Sequence, residues 1–156
     1  MIIEKAPRKF LSNDLEIDSF EKIKPYFDDL LNRSISSKVD FEKWLEDRSE
    51  LDAVLEEDLA WRYIRMTIDT KNEEHSNSYT FFVTKIQPEL APLDDQLNRK
   101  LMQSPFVKDY VNDDAFRIYF RSVETQLNLF REENIPIEAF LNEKVRNSEQ
   151  LVGLKR

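Results

Sequence analysis

The sequence has 156 residues, with 31 acidic against 23 basic side chains, a net charge of −8, one glycine, one histidine and no cysteine. Roughly ten glycines are usual at this length, so phosphate loops and dinucleotide fingerprints, which need glycine to bring backbone amides against a ligand, cannot be built. Disulfide frameworks, zinc ribbons and cysteine nucleophiles are excluded too, and an acidic chain without a basic stripe is a poor partner for nucleic acid.

Glycine scarcity also removes the Asn-Gly and Asp-Gly pairs of tight hairpins, and strong helix formers dominate. Ser19 to about Asn32 reads as the first helix, because Phe20, Ile23, Phe27, Leu30 and Leu31 recur at steps of three and four. Pro25 lies inside that pattern, predicting either a later helix start or a distorted first turn. A second helix opens at Ser37, a capping hydroxyl with Asp40 placed for the positive helix end, and runs to about Asp69. Along it Leu51, Val54, Leu55 and Leu59 share one face. Trp61, Ile64 and Ile68 gather on a face displaced by roughly a third of a turn at about 100° per residue, so the apolar stripe is expected to change partner midway. The vacated row holds Asp58, Arg62, Arg65 and Asp69, spaced to pair along the helix. That row reads either as a solvated ion-pair ladder or as the wall of a polar cavity.

The third segment carries a near-heptad seam of Tyr79, Val83, Ile86, Leu90, Leu93, Leu97 and Leu101. Pro88 and Pro92 each remove a backbone donor, which predicts a kink or break between Gln87 and Pro92. Ser104-Pro105 opens a short helix or turn containing Phe106 and Tyr110, and Asn112-Asp113-Asp114 marks the next start. Phe116, Phe120, Val123, Leu127 and Phe130 form the stripe of a fourth long segment ending near Asn134. A last helix, about Ile137 to Leu151, reaches Gly153 as a C-terminal cap. The eleven phenylalanines and two tryptophans are expected in the core or on packing surfaces. No repeat or boundary interrupts the chain, so residues 1–156 are expected to form a single all-α domain, an array of about five to six helices, several long and roughly antiparallel.

Nothing approaches the roughly 20 apolar residues of a membrane span, and Met1-Ile2-Ile3-Glu4-Lys5 has no hydrophobic region of useful length. A cytoplasmic domain without membrane contact is therefore expected, and the Asn32-Arg33-Ser34 sequon reads as a chance match. His75 has Lys71, Asn72, Ser78 and Tyr79 at the positions one helical turn away, where a metal site would need further ligands. Among the many carboxylates no pair is singled out for acid-base work. No catalytic or metal-binding residue is assigned.

Six ordered stretches carry more specific information. They are Lys24-Pro25-Tyr26-Phe27 with Leu30-Leu31, then Phe41-Glu42-Lys43-Trp44-Leu45-Glu46-Asp47-Arg48-Ser49-Glu50-Leu51, then Ala60-Trp61-Arg62-Tyr63-Ile64-Arg65-Met66-Thr67. Phe81-Phe82-Val83-Thr84 follows with Pro88 and Ala91-Pro92, then Leu97-Asn98-Arg99-Lys100-Leu101 with Ser104-Pro105-Phe106, and finally Leu129-Phe130-Arg131-Glu132-Glu133-Asn134-Ile135-Pro136. Together, over about residues 9–137, these resemble the amino-terminal helical region of the oligoendopeptidase F family of zinc metallopeptidases, relatives of thimet oligopeptidase. The resemblance implies an all-helical cytoplasmic peptidase that cuts short peptides in a deep channel, with zinc held by a His-Glu-x-x-His helix and a downstream glutamate. A chain with one histidine cannot hold that motif, so the resemblance implies no cofactor in this chain, zinc in the full-length family, and a catalytic domain supplied by residues not present here. It also implies that this domain forms one wall of the peptide channel, where Asp58, Arg62, Arg65 and Asp69 would face the substrate. The alternative expectation is a free-standing interaction module whose Tyr79–Leu101 seam binds another helix or a copy of itself.

Overall fold

The structure, a computed structural model, describes residues 7–130 and 134–154, with side chains described as far as residue 148. The chain start read above for export signals, and residues 131–133 of the last quoted stretch, lie outside the described residues. No strand occurs among the described residues. In chain order come α1 (Phe20–Asn32), α2 (Lys38–Ile68), α3 (Glu73–Phe81), a π-helical turn (Phe82–Ile86), α4 (Gln87–Gln103), a 3-10 turn (Val107–Asp109), α5 (Asp114–Leu129) and α6 (Ile135–Leu154).

The helix starts follow local chemistry. The Ser37 hydroxyl accepts from the Asp40 amide at 3.1 Å, and Asp40 returns the favour to the Ser36 amide at 3.1 Å. Asn72 caps α3 by accepting from the Glu74 amide at 3.0 Å, and Asp113 caps α5 by accepting from the Ala115 amide at 2.8 Å. Pro25 does not delay α1. The helix passes through it on the exposed side.

The irregularity expected between Gln87 and Pro92 lies just upstream. In the π turn the Gln87 amide reaches back five residues to the Phe82 carbonyl. This widened turn ends before Pro88, which becomes the second residue of α4 and has no N–H to place in the ladder. Pro92 sits inside the continuing helix. At the other end α6 starts at Ile135, two residues before the sequence expectation, and runs through Gly153 to Leu154, so Gly153 is not a cap.

The main core joins Ile23, Phe27 and Leu30 of α1 to Phe41, Trp44 and Leu51 of α2, Leu97 and Leu101 of α4, and Phe120 and Val123 of α5. A satellite cluster of Met66, Tyr79 and Val83 lies under Leu59 and Tyr63. The Tyr79–Leu101 seam is thus consumed within the chain: Val83 and Ile86 are 1% exposed and Leu97 and Leu101 fully buried. The second stripe of α2 behaves differently. Trp61 is 49% exposed and Ile68 79% exposed, because α3 returns against the Tyr63 and Met66 side instead, with the Tyr63 and Tyr79 rings edge to face at 5.8 Å. Trp61 and Phe140 are about half exposed, where the large aromatics are expected in the core or on packing surfaces.

The segment before α1 is fastened by one carboxylate. Glu50 on α2 accepts from the amides of Lys9 at 2.6 Å and of Phe10 and Leu11 at 2.7 Å. Burial by itself would push this carboxyl up, but the three backbone donors outweigh it and hold it below its ordinary value.

Candidate functional site

The row Asp58, Arg62, Arg65 and Asp69 divides in two. Asp58 and Arg62 are brought together, with the Arg62 Nε donating to Asp58 at 2.6 Å. Arg62 then turns inward: its Nη1 donates to the Ser78 carbonyl at 3.1 Å and hydroxyl at 3.2 Å, its Nη2 to the Ile17 carbonyl, and the guanidinium lies 5.4 Å from the Phe82 ring centre. One side chain therefore ties α2 to the N-terminal segment, to α3 and to the π turn. Arg65 and Asp69 stay exposed. Arg65 stacks on the Trp61 ring at 5.9 Å, and Asp69 closes α2 through its amide on the Arg65 carbonyl at 3.3 Å. Among the described residues no ion pair links Arg65 to either aspartate.

These side chains border a recess of about 420 Å³ between the segment Leu15–Asp18 and the α2 residues Val54, Glu57, Asp58, Trp61, Arg62 and Arg65. Its lining is mostly polar and carries both signs of charge, with Leu15, Ile17, Val54 and Trp61 as its apolar members. It can seat an extended chain with a polar backbone more readily than a compact apolar ligand.

His75 sits half-buried in the first turn of α3, its amide donating to Asn72 at 3.4 Å. No group of three or more histidine, cysteine, aspartate or glutamate side chains that could hold a metal ion occurs among the described residues.

Two features were not singled out from sequence. The first is α6, which faces the wrong way. Its Asn142 donates to Gln87 at 3.2 Å, and its Arg146 donates to the hydroxyls of Ser76, at 3.0 Å, and Thr80, so a polar face meets the body. Its apolar face, Ile137, Phe140, Leu141 and Val145, points outward with each residue more than half exposed. The apolar spacing is readable in the sequence, but which face meets the body is not. The second is a polar cluster around Arg48 at the junction of α2, α4 and α5, in which Arg48 and Asn98 stand 50 residues apart and Asn98 and Gln126 stand 28 apart. No local sequence pattern reveals such a cluster.

The family model of the Peptidase M3 N-terminal domain matches residues 10–130. The chain belongs to this family. No curated protein and no solved structure matches it. In this Peptidase M3 N-terminal domain the matched stretch takes in α1 to α5 and both bordering walls of the recess, while α6 lies beyond it. No helix among the described residues is long and apolar enough to cross a membrane.

Proposed function

We propose that this chain is the non-catalytic N-terminal domain of a cytoplasmic, zinc-dependent oligoendopeptidase of the F type, and that it forms part of the wall of the channel that admits short peptides. The observation that carries the reading, besides family membership, is the outward apolar face of α6. Ile137, Phe140, Leu141 and Val145 are about half exposed, so covering them would stabilise an assembly by about 1 kcal/mol per side chain, and a stripe of this kind marks a contact surface. The partner is the catalytic domain. The seam proposed for a free-standing module is buried in the domain itself and leaves no surface for a partner helix.

The residues of this chain do not fit the zinc of such an enzyme. His75 is the only imidazole in the sequence, cysteine is absent, and no ligand stands one turn from His75 on α3. Metal chemistry belongs to other residues than these, and the contribution here is to position and select peptides.

Without its partner the chain is expected to self-associate weakly through α6. Sedimentation velocity should show a concentration-dependent rise in mass that Phe140→Glu abolishes at unchanged melting temperature; a strictly monomeric wild-type chain at high concentration would count against the exposed-interface reading. The channel wall is tested at Arg65, because reversing Arg62 would dismantle the ties described above. In a peptidase carrying this domain, Arg65→Glu should shift the ratio of kcat/KM for acidic over basic peptides by about fivefold, the scale of one exposed charge interaction. An unchanged ratio would remove Arg65 from the channel.

A further inference from the structure

The cluster at the junction of α2, α4 and α5 holds one cation for two carboxylates. Arg48 of α2 is 4% exposed. Its Nη2 donates to the neutral amide oxygen of Asn98 on α4, and Asn98 in turn donates to Gln126 of α5 at 3.2 Å. Its Nε lies 3.5 Å from the Asp52 carboxylate, too far for a hydrogen bond, and its Nη1 has no partner. Asp52 is one turn beyond Arg48 on α2, and Asp94 is one turn before Asn98 on α4, so the contact between Arg48 and Asn98 sets the two carboxylates on the same side. Asp94 makes no hydrogen bond or ion pair among the described residues and feels Asp52 and Arg48. The hydroxyl of Tyr119, contributed by α5, is buried there without a partner.

A buried guanidinium with an unused donor, beside two carboxylates that it cannot both neutralise, is an arrangement that binds a proton. We propose that Asp52 and Asp94 hold one exchangeable proton between them, and that its loss sets two negative charges against the single Arg48 and loosens α4 from α2. The groups facing this pair are Arg48 and Glu56 from α2, Asp95 and Asn98 from α4, and Tyr119 and Gln126 from α5. Asp95 is already engaged by Arg99 at 2.7 Å and Arg48 is the only cation in the set. Burial, then the field of Asp52, pushes Asp94 up to about 7, and burial raises Asp52 as well.

The sign follows from linkage. The fold holds the Asp94 proton more tightly than the unfolded chain does, so this contribution to stability is complete below the ordinary value of 3.8 and is lost as the pH rises to about 7. Within that window the folding equilibrium falls about tenfold per pH unit on account of this group.

The test is a titration of the side-chain carboxyl carbons in the isotope-labelled chain from pH 4 to 9, with melting curves of the wild type and Asp94→Asn over the same range. The expected result is that one carboxyl of the pair titrates near pH 7 and that Asp94→Asn melts above the wild type at pH 8, the gap closing toward pH 5. Amides in the first half of α4 should lose about tenfold protection between pH 6 and 8, after correction for intrinsic exchange, relative to those of α1. Ionisation of both carboxyls below pH 5 overturns the proposal. So does a pH profile shared by wild type and variant. Should the variant fail to fold, the carboxyl titration of the wild type decides alone.

Discussion

Arg62→Ala should lower the stability of the domain by about 3 kcal/mol, the range found when one partner of a largely buried charged network is removed. For a chain of this size that corresponds to a fall of about 9 °C in melting temperature. The loss has several parts. Asp58 keeps its charge and loses its partner, the carbonyls of Ile17 and Ser78 lose a charged donor, and the face of Phe82 loses the guanidinium that covers it. Since these acceptors lie on the N-terminal segment, α3 and the π turn, the same substitution should free residues 15–18 from α2 and raise their amide exchange. Arg65→Ala, one turn on and exposed, should stay within about 0.5 kcal/mol of wild type. Thermal melts of the two variants check the contrast. Equal effects would show that the row acts as the solvated ladder.

The contrast between Arg62 and Arg65 also shows where sequence reading reaches its limit. Spacing places both on one helix face, and spacing is all that the amino-acid order supplies. Which of the two is drawn inward depends on where the carbonyls of Ile17 and Ser78 stand, 45 and 16 residues away. The caps were legible for the opposite reason. Ser37 reaches an amide three residues on, so its hydrogen bond is decided before any tertiary contact forms.

The seam from Tyr79 to Leu101 was readable as a surface to be buried but not as to which partner buries it, and an outside helix was as good a guess as the chain itself. The π turn was half legible. Pro88 announces a disturbed ladder, yet the chain accommodates it by widening the preceding turn at Phe82–Ile86, a change of register that alters no residue type. α6 repeats the lesson at the scale of a whole element. Its apolar residues recur at helical spacing, and amphipathicity ordinarily implies that this face is turned inward. Here Arg146 and Asn142 take that position. The same reversal makes the face of α6 the part of the domain that another protein surface would cover. The buried cluster at Arg48 was the least legible, because opposing carboxylates on different helices leave no trace in local order.

Lys100→Met should cost about 2–3 kcal/mol, through the C-terminus of a helix to which Lys100 does not belong. The last turn of α1 leaves carbonyls without intrahelical donors and carries the negative end of the helix dipole, and α1 has no basic residue of its own there. The charge arrives from α4. The Lys100 ammonium donates to the carbonyls of Leu30 at 2.8 Å, Leu31 at 2.9 Å and Arg33, while the Trp44 indole donates to Leu30 at 2.9 Å. Methionine fills similar volume and leaves the three acceptors to a single indole N–H and to whatever water can enter. Burial, then the neighbouring Arg33, pushes the Lys100 ammonium below its ordinary 10.5. The fold therefore holds this proton less firmly than the unfolded chain does, so desolvation offsets part of what the three hydrogen bonds contribute. That offset keeps the expected loss to a few kcal/mol rather than the sum of three charged bonds. In a melt the variant should fall by about 7 °C, with Lys108→Met, an exposed lysine on the following 3-10 turn, unchanged. Amide exchange should quicken in the last turn of α1 and across the Asn32–Ser37 connection, since the anchored carbonyls fix the path by which the chain enters α2. A Lys100→Met variant melting with the wild type would show that Trp44 alone suffices to hold that turn.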